Sequence, residues 1–269
     1  MYIFFNNEII KSDSICILPI SEGFMYGYGL FETIKVAGGK MYFFHEHVKR
    51  LLKGCQILDL NFNIDLVDLE KYCYDLIDKN KLFSGALRIS YSKNKEDCNL
   101  LISTRNSIYH DEDYEKGFKL CFSDMKRNPY SPLVRVKSNN YMENLLARKK
   151  AKDSGYDEAL FFNVHGEICE GTISNIFFVK NEGIFTPTIE CGILSGILRS
   201  KVIEIINENN LKIDIGRYKK DFLYDCDEIF ITNSLMDIMP VSLLQDKKMD
   251  LKSNKITRFL MEELKKLYG

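Results

Sequence analysis

Lys137, Glu170 and the segment opening at Gly196 have the chemistry and the order along the chain that one reaction could use. Lys137 precedes Ser-Asn-Asn-Tyr141 and a stretch with helical spacing, so its amine can be held beside a cleft. Desolvation there would lower its pKa and make it a nucleophile toward an aldehyde. Glu170 ends an extended segment just before Gly171. A carboxylate in that place could keep a heteroaromatic ring nitrogen protonated. Gly196-Ile-Leu-Arg199 reads as a helix start, whose N–H groups and positive dipole end suit an anion. Arg50, beside the apolar stripe of an earlier helix, is a cation that fits a phosphate. Amine, acid partner and anion cradle are what pyridoxal phosphate needs from a protein. Each residue alone also has an ordinary reading: solvated Lys137 and Arg50, an edge-strand Glu170, a helix start like any other, and a Tyr141 that serves packing.

The elements that must position these residues follow from periodicity. Residues 2–10 read as a hairpin turning at Asn6-Asn7. Glycines at 23, 27 and 29 precede a strand through Ile34-Lys-Val36 and a turn at Gly38-Gly39. Val48, Leu51, Leu52, Cys55 and Leu58 predict a helix over 46–59. Leu66, Leu69, Cys73, Leu76 and Ile77 predict another over 66–79, capped by Asp65. Strands are expected near 85–92, 98–104 and 118–123, with a short extended piece at Val134–Val136. Asn140 and Glu143 resemble a capping box for a helix carrying Met142, Leu145, Leu146 and Ala151 and ending at Gly155. Hairpins are expected at Glu158–Phe162 with Ile168–Glu170, turning at His165-Gly166, and at Ile176–Val179 with Ile184–Phe185. A helix is predicted over 197–209, then strands near 211–215, 228–232 and 238–244. A last helix, 254–267, should bury Ile256, Phe259, Leu260, Leu264 and Leu267. The polar, aperiodic stretch Arg105–Lys116 reads as a linker, giving domains 1–115 and 116–269. Paired helices in the first half and hairpins in the second make this an α+β chain.

Composition narrows the function classes. The 269 residues carry 37 Lys plus Arg against 38 Asp plus Glu, a net charge of -1, so there is no global basic field for nucleic acid. Eight cysteines, Cys16, Cys55, Cys73, Cys98, Cys121, Cys169, Cys191 and Cys226, are dispersed with no Cys-x-x-Cys pair. That argues against a metal knuckle or a redox dithiol and for buried thiols in a reduced, cytoplasmic protein. Met1-Tyr-Ile-Phe-Phe-Asn-Asn lacks the basic region and apolar core of a signal peptide, and no apolar run reaches transmembrane length.

Taken in order, the motifs resemble the class IV aminotransferases, the fold type IV enzymes that use pyridoxal 5'-phosphate, over nearly the whole chain. Tyr26-Gly-x-Gly-x-Phe31-Glu-Thr33 looks like that family's early signature, and His47-Val-Lys-Arg50-Leu51 like its phosphate-arginine motif. Lys137-x-x-x-Tyr141 looks like the cofactor-lysine segment, and Glu170-Gly-x-x-Ser-Asn175-Ile-Phe177 like the ring-nitrogen segment. Thr186-Pro187 with Gly192-Ile-Leu194-x-Gly196-Ile-x-Arg199 looks like the phosphate loop. The resemblance implies that Lys137 bonds the cofactor's aldehyde carbon and shuttles protons. Glu170 would hold the ring nitrogen and Tyr141 the ring oxygen. Arg50, with the backbone of Ile197 and Leu198, would hold the phosphate, Leu194 would pack on the ring, and Ser234 would add a second phosphate hydroxyl. It also implies a small N-terminal α/β domain, a larger barrel-like C-terminal domain that binds the cofactor, and a homodimer. A noncatalytic module that kept the fold is the competing class, and joint retention of Lys137, Glu170 and Arg50 speaks against it.

The family contains branched-chain aminotransferases, D-amino-acid aminotransferases and aminodeoxychorismate lyases. D-amino-acid enzymes grip a substrate carboxylate with Arg-x-His, whereas this strand reads Leu87-Arg88-Ile-Ser90. Aminotransferases usually have Thr where Leu198 stands, and Gly-Thr where Asn233-Ser234 stands; Thr232-Asn-Ser-Leu-Met236 followed by Pro240-Val241 looks like the lyase signature. The expected activity is therefore conversion of aminodeoxychorismate to 4-aminobenzoate and pyruvate for folate synthesis. Transfer of amino groups from branched-chain or D-amino acids to a 2-oxo acid is the alternative. Tyr26, Phe31, Thr33 and Arg88 are expected on the substrate side, although Thr33 reads equally as a strand threonine and Arg88 as a structural ion pair.

Overall fold

Alternating apolar residues and the Asn6-Asn7 turn produce the first hairpin, β1 (Tyr2–Phe5) and β2 (Glu8–Lys11), with both asparagines at positive φ. The computed structural model describes residues 1–15 and 17–268. The chain divides into two units: Met1–Ile108 with Val136–Asn140, and Tyr109–Arg135 with the chain from Tyr141 on.

In the first unit follow α1 (Glu22–Tyr26), β3 (Gly29–Ala37), β4 (Lys40–Met41), α2 (Phe44–Ile57), α3 (Leu66–Asn80), β5 (Ser84–Asn94) and β6 (Asp97–Asn106). Their sheet runs β2-β1-β6-β5-β3-β4 and is antiparallel throughout. Helices α2 and α3 lay Val48, Leu51 and Cys55, and Leu69, Cys73, Leu76 and Ile77, into the core shared with Ile34, Leu87, Ile89 and Ile102 of the sheet. The Asp65 side chain accepts from the Val67 and Asp68 N–H groups, the cap expected from sequence. Leu66, expected on the same stripe, is exposed because it sits in the first turn, beyond the reach of the sheet.

The second unit contains α4 (Asp111–Lys116), β7 (Phe118–Arg127), α5 (Met142–Asp153), β8 (Glu158–Asn163), β9 (Ile168–Gly171), β10 (Asn175–Lys180), β11 (Gly183–Pro187), α6 (Ile197–Glu208), β12 (Ile213–Gly216), β13 (Glu228–Asn233), β14 (Asp237–Leu244), β15 (Lys247–Lys248) and α7 (Lys255–Lys266). The strand order is β12-β11-β10-β13-β14-β7-β8-β9, with β15 on β14, and β7 lies parallel to both its neighbours. Strand β9 also approaches β10 and β11, so this sheet curls back on itself like part of a barrel. Leu160, Ile176, Phe178, Ile229, Ile231 and Met239 fill one of its faces. The α+β class and the larger, barrel-like second sheet agree with the expectation from sequence.

Several local expectations are corrected. The stretch read as a linker contains the boundary between the two units, after Ile108, and also holds the end of β6 and helix α4, in which Asp113 accepts from the His110 N–H at 2.9 Å. Six residues are too few to show a period, but three acids in its first turn favour a helix N-terminus. Pro132–Arg135 form a 3-10 turn rather than an extended piece. The N-cap of α5 is Tyr141, which makes no side-chain cap; Asn140 donates to the Gly27 carbonyl at 3.1 Å and Glu143 pairs with Arg127 at 3.1 Å. Met142, Leu145 and Leu146 on α5 are exposed, and its buried face is Asn144, Ala147 and Ala151. On α7, Leu267 is exposed beyond the last turn while Thr257 is buried. Seven cysteines, from Cys55 to Cys226, are free thiols, buried except for half-buried Cys98 and Cys121; Cys16 lies outside the described residues. Among the described residues no helix is long and apolar enough to cross a membrane. Replacing the α3 cap, Asp65→Ala, is expected to cost about 1 kcal/mol in urea unfolding; no change would show that its two N–H contacts do not form.

Candidate functional site

In the first unit the chemistry gathers at the start of β3. Gly27 takes φ +64 as the C-cap of α1, a conformation that suits glycine, and a Cβ on Gly29 would meet the Tyr91 carbonyl at 2.7 Å. Those two needs account for the Gly-x-Gly of the signature. Strand β4 covers only Val36 and Ala37, leaving one edge at the beginning of β3 to be paired otherwise. The Lys137 segment pairs there: Phe31 N–H donates to the Lys137 carbonyl and Asn139 N–H to the Gly29 carbonyl, both at 2.9 Å. Backbone pairing thus fixes the position of the lysine. Its Nζ lies 4.5 Å from the centre of the Phe31 ring, and the Arg88 guanidinium carbon 3.8 Å from the same ring. Thr33 pairs across the sheet with Arg88, whose Nε donates to Ser90 Oγ at 3.2 Å. Sequence analysis named Phe31, Thr33, Arg88 and Lys137, and the fold brings these four together. Tyr26, on α1, is 65% exposed.

Alternation turns Glu32 to the opposite face of β3, into the core. Its buried carboxylate accepts from Arg50 Nε at 2.8 Å and Arg50 Nη2 at 2.6 Å, and from His47 Nδ1 at 2.7 Å. Burial alone would raise the Glu32 pKa, but the Arg50 charge and hydrogen bonds, with His47, hold it at about 2. Burial pushes the His47 imidazole below its ordinary pKa against the pull of Glu32, so the ring is neutral near pH 7 with its proton on Nδ1. Its Nε2 is buried with no hydrogen-bond partner. Arg50 is therefore oriented by a fork-to-fork pair with Glu32. Glu32 and His47 stand in the sequence motifs with no role assigned to them; a charged residue at a core-facing strand position was the available signal for Glu32.

In the second unit Glu170 stands near the end of β9, buried, and its Oε2 accepts from the Leu194 N–H at 3.0 Å and from Asn175 Nδ2 at 3.3 Å. Asn175 Nδ2 also donates to the Leu194 carbonyl at 3.0 Å. Two residues beyond Leu194, Gly196 is the N-cap of α6 and offers no side-chain cap to the N–H groups of its first turn. Arg199 is buried and donates to the Pro187 carbonyl at 2.9 Å; burial lowers its pKa, and Glu170 opposes that shift. Glu170, Leu194 and the helix start at Ile197 and Leu198 are thus tied together.

Behind them Glu158 builds the turn after Glu170. Its buried carboxylate accepts from the Thr172 N–H (2.9 Å) and hydroxyl (2.5 Å), the Ile173 N–H (3.2 Å) and the Ser174 hydroxyl (3.2 Å). The Tyr141 hydroxyl donates to the Thr172 carbonyl at 2.8 Å, as does Asn144 Nδ2 at 2.6 Å. Burial and the nearby Glu170 raise the pKa of that phenol. Ser234 is half-buried in the β13–β14 turn, where Asn233 Oδ1 accepts from the Leu235 and Met236 N–H groups, both at 2.9 Å. Thr232 beside it has a buried hydroxyl with no hydrogen-bond partner.

A pH test follows from Glu32. Its pKa is lower in the folded chain than the ordinary 4.5, so its stabilisation is complete above that value and is lost as pH falls toward about 2. His47, also lowered, adds a loss as pH falls below its ordinary 6.5, because the unfolded chain takes up that proton more readily. Melting temperatures between pH 5 and about 2 should fall more steeply for the parent than for Glu32→Gln. Parallel slopes would rule out the buried pair.

The model of the family described as amino-transferase class IV matches residues 29–244. An aminodeoxychorismate lyase of Bacillus subtilis (strain 168) is 25% identical over 98% of this chain and 94% of its own length. A protein of Rickettsia bellii (strain RML369-C), named a probable branched-chain-amino-acid aminotransferase, is 27% identical over 99% and 96%. A solved structure from Legionella pneumophila, provisionally called a 4-amino-4-deoxychorismate lyase, superposes with a TM-score of 0.89 at 28% identity, covering 96% of this chain and 98% of that one.

Proposed function

The chain belongs to the amino-transferase class IV family, and on that premise we propose that it is an aminodeoxychorismate lyase, releasing 4-aminobenzoate and pyruvate for folate synthesis. The cofactor of this family is pyridoxal 5'-phosphate. The donor set fits it: a half-buried lysine fixed by backbone pairing, a buried carboxylate oriented by two N–H donors, and a helix start without a side-chain cap.

When bound, the cofactor withdraws electrons from the substrate carbon that bears the amine. Lys137 would supply the amine for the cofactor's aldehyde, and its Nζ, when free, would take the proton from the substrate ring carbon that bears the amine. Loss of that proton with cleavage of the ring carbon–oxygen bond would make the ring aromatic and release enolpyruvate, which would take the proton back from Lys137 at its methylene carbon to become pyruvate. Glu170 keeps a proton on the pyridine nitrogen. Arg50 and the N–H groups of Ile197 and Leu198 bind the phosphate, with Ser234 as a further hydroxyl donor. Leu194 would pack on the pyridine ring and Tyr141 would contact its ring oxygen. Phe31, Thr33, Arg88 and Tyr26 meet the substrate, Arg88 as the partner of a carboxylate.

What carries the lyase reading is the β13–β14 turn. Asn233 builds it by accepting two backbone N–H groups through its side chain, which the Gly-Thr usual in aminotransferases could not do. Leu198 in place of threonine and Ser90 in place of the D-amino-acid enzymes' histidine point the same way. An aminotransferase of branched-chain amino acids is the second reading, favoured by the likeness to the Rickettsia protein. We take the enzyme to be a cytoplasmic homodimer; the free thiols suit a reduced compartment.

Purified protein offered aminodeoxychorismate should form 4-aminobenzoate and pyruvate in equal amounts, and offered amino acids with 2-oxoglutarate should form little glutamate. Lys137→Ala should lose nearly all turnover. Efficient amino transfer without 4-aminobenzoate would reject the lyase in favour of the second reading.

A further inference from the structure

Three side-chain arrangements beyond the assigned residues hold buried polar groups near them: Glu32 with His47, Glu158 with the turn 172–174, and Asn175. The last joins two parts of the cofactor site that are distant in sequence. We propose that Asn175 is a positioning residue that couples the ring-nitrogen carboxylate to the phosphate-binding helix start, so that both ends of the cofactor are held by one side chain. The proposal rests on the cofactor assignment above.

The geometry is a closed ring of hydrogen bonds. Asn175 Nδ2 has two protons; one goes to Glu170 Oε2 at 3.3 Å and the other to the Leu194 carbonyl at 3.0 Å. Leu194 closes the ring with its own N–H to Glu170 Oε2 at 3.0 Å. Such rings polarise one another and lose more than one bond when one member is removed. The third point is Asn175 Oδ1. A Cβ on Gly196 would fall 1.9 Å from it, so the carboxamide oxygen fills the space that a side chain on the α6 cap would take.

Asparagine suits this position for reasons of inventory. Aspartate has no N–H to give Leu194 and would put a second negative charge against Glu170. Serine can donate only once. Asn175 itself is 5% exposed and begins β10, paired with Thr232 of β13, so the backbone beneath the carboxamide is fixed by the sheet.

The test titrates each apo-protein with pyridoxal 5'-phosphate. It reads dissociation constant, the pH midpoint of the visible band and melting temperature together. Asn175→Ala should weaken binding about tenfold or more, the usual cost of losing a group that orients a ligand-binding one, and should shift the band's pH midpoint. Asn175→Asp should bind more weakly than Asn175→Ala. Gly196→Ala, which leaves every hydrogen-bonding side chain in place, should also weaken binding about tenfold in the parent, but by less than about threefold in an Asn175→Ser background, where the clash is gone. Parent-like affinity and band midpoint in Asn175→Ala and Asn175→Asp would overturn the proposal. So would an equal cost of Gly196→Ala in both backgrounds. A parent protein that forms no visible band would instead reject the cofactor assignment itself.

Discussion

A carboxylate taken out of water must find its donors inside the protein, and that constraint organises both units. Glutamates 32, 158, 167, 170 and 228 are all buried. Glu32 is satisfied by Arg50 and His47, Glu158 by the turn that follows Glu170, and Glu170 by Leu194 and Asn175. Glu167 takes Asn163 and Arg217, and Glu228 accepts the Ile256 and Thr257 N–H groups at the start of α7. Each would be costly alone. Each instead fixes a backbone turn, a helix start or a cation in one orientation, which a functional group needs more than raw stability.

The second constraint is the backbone. The Lys137 backbone is placed by pairing of its segment with Gly29 and Phe31 of β3. Two cations share the Phe31 ring, and the same strand turns Glu32 the other way to hold Arg50. One strand, β3, therefore positions Lys137 on one face and Arg50, through Glu32, on the other. This accounts for a signature that needs glycine, aromatic and acid at fixed spacing.

Much of the fold was legible because long elements carry strong periods. The stripes of α2 and α3, the hairpins at Asn6-Asn7 and His165-Gly166, and the Asp65 cap could be read directly. Short or amphipathically weak segments could not. Helix α4 has six residues, and α5 buries Asn144 and two alanines while exposing Met142, Leu145 and Leu146. Hydrophobicity alone pointed to the wrong face, because Asn144 and Arg127 make the polar contacts that anchor it. Of the candidate site, the residues proposed to carry chemistry stood out by type and order. Those that orient them did not: the Leu194 N–H on Glu170 spans 24 residues and comes from a backbone group, which no residue type announces.

Lys137 is proposed to bear the cofactor, and that assignment is the one to test most directly. Protein saturated with pyridoxal 5'-phosphate, reduced with borohydride and digested, should yield one modified peptide, with the pyridoxyl group on Lys137. Modification spread over surface lysines, or an unmodified Lys137 peptide after full loss of the visible band, would contradict the account.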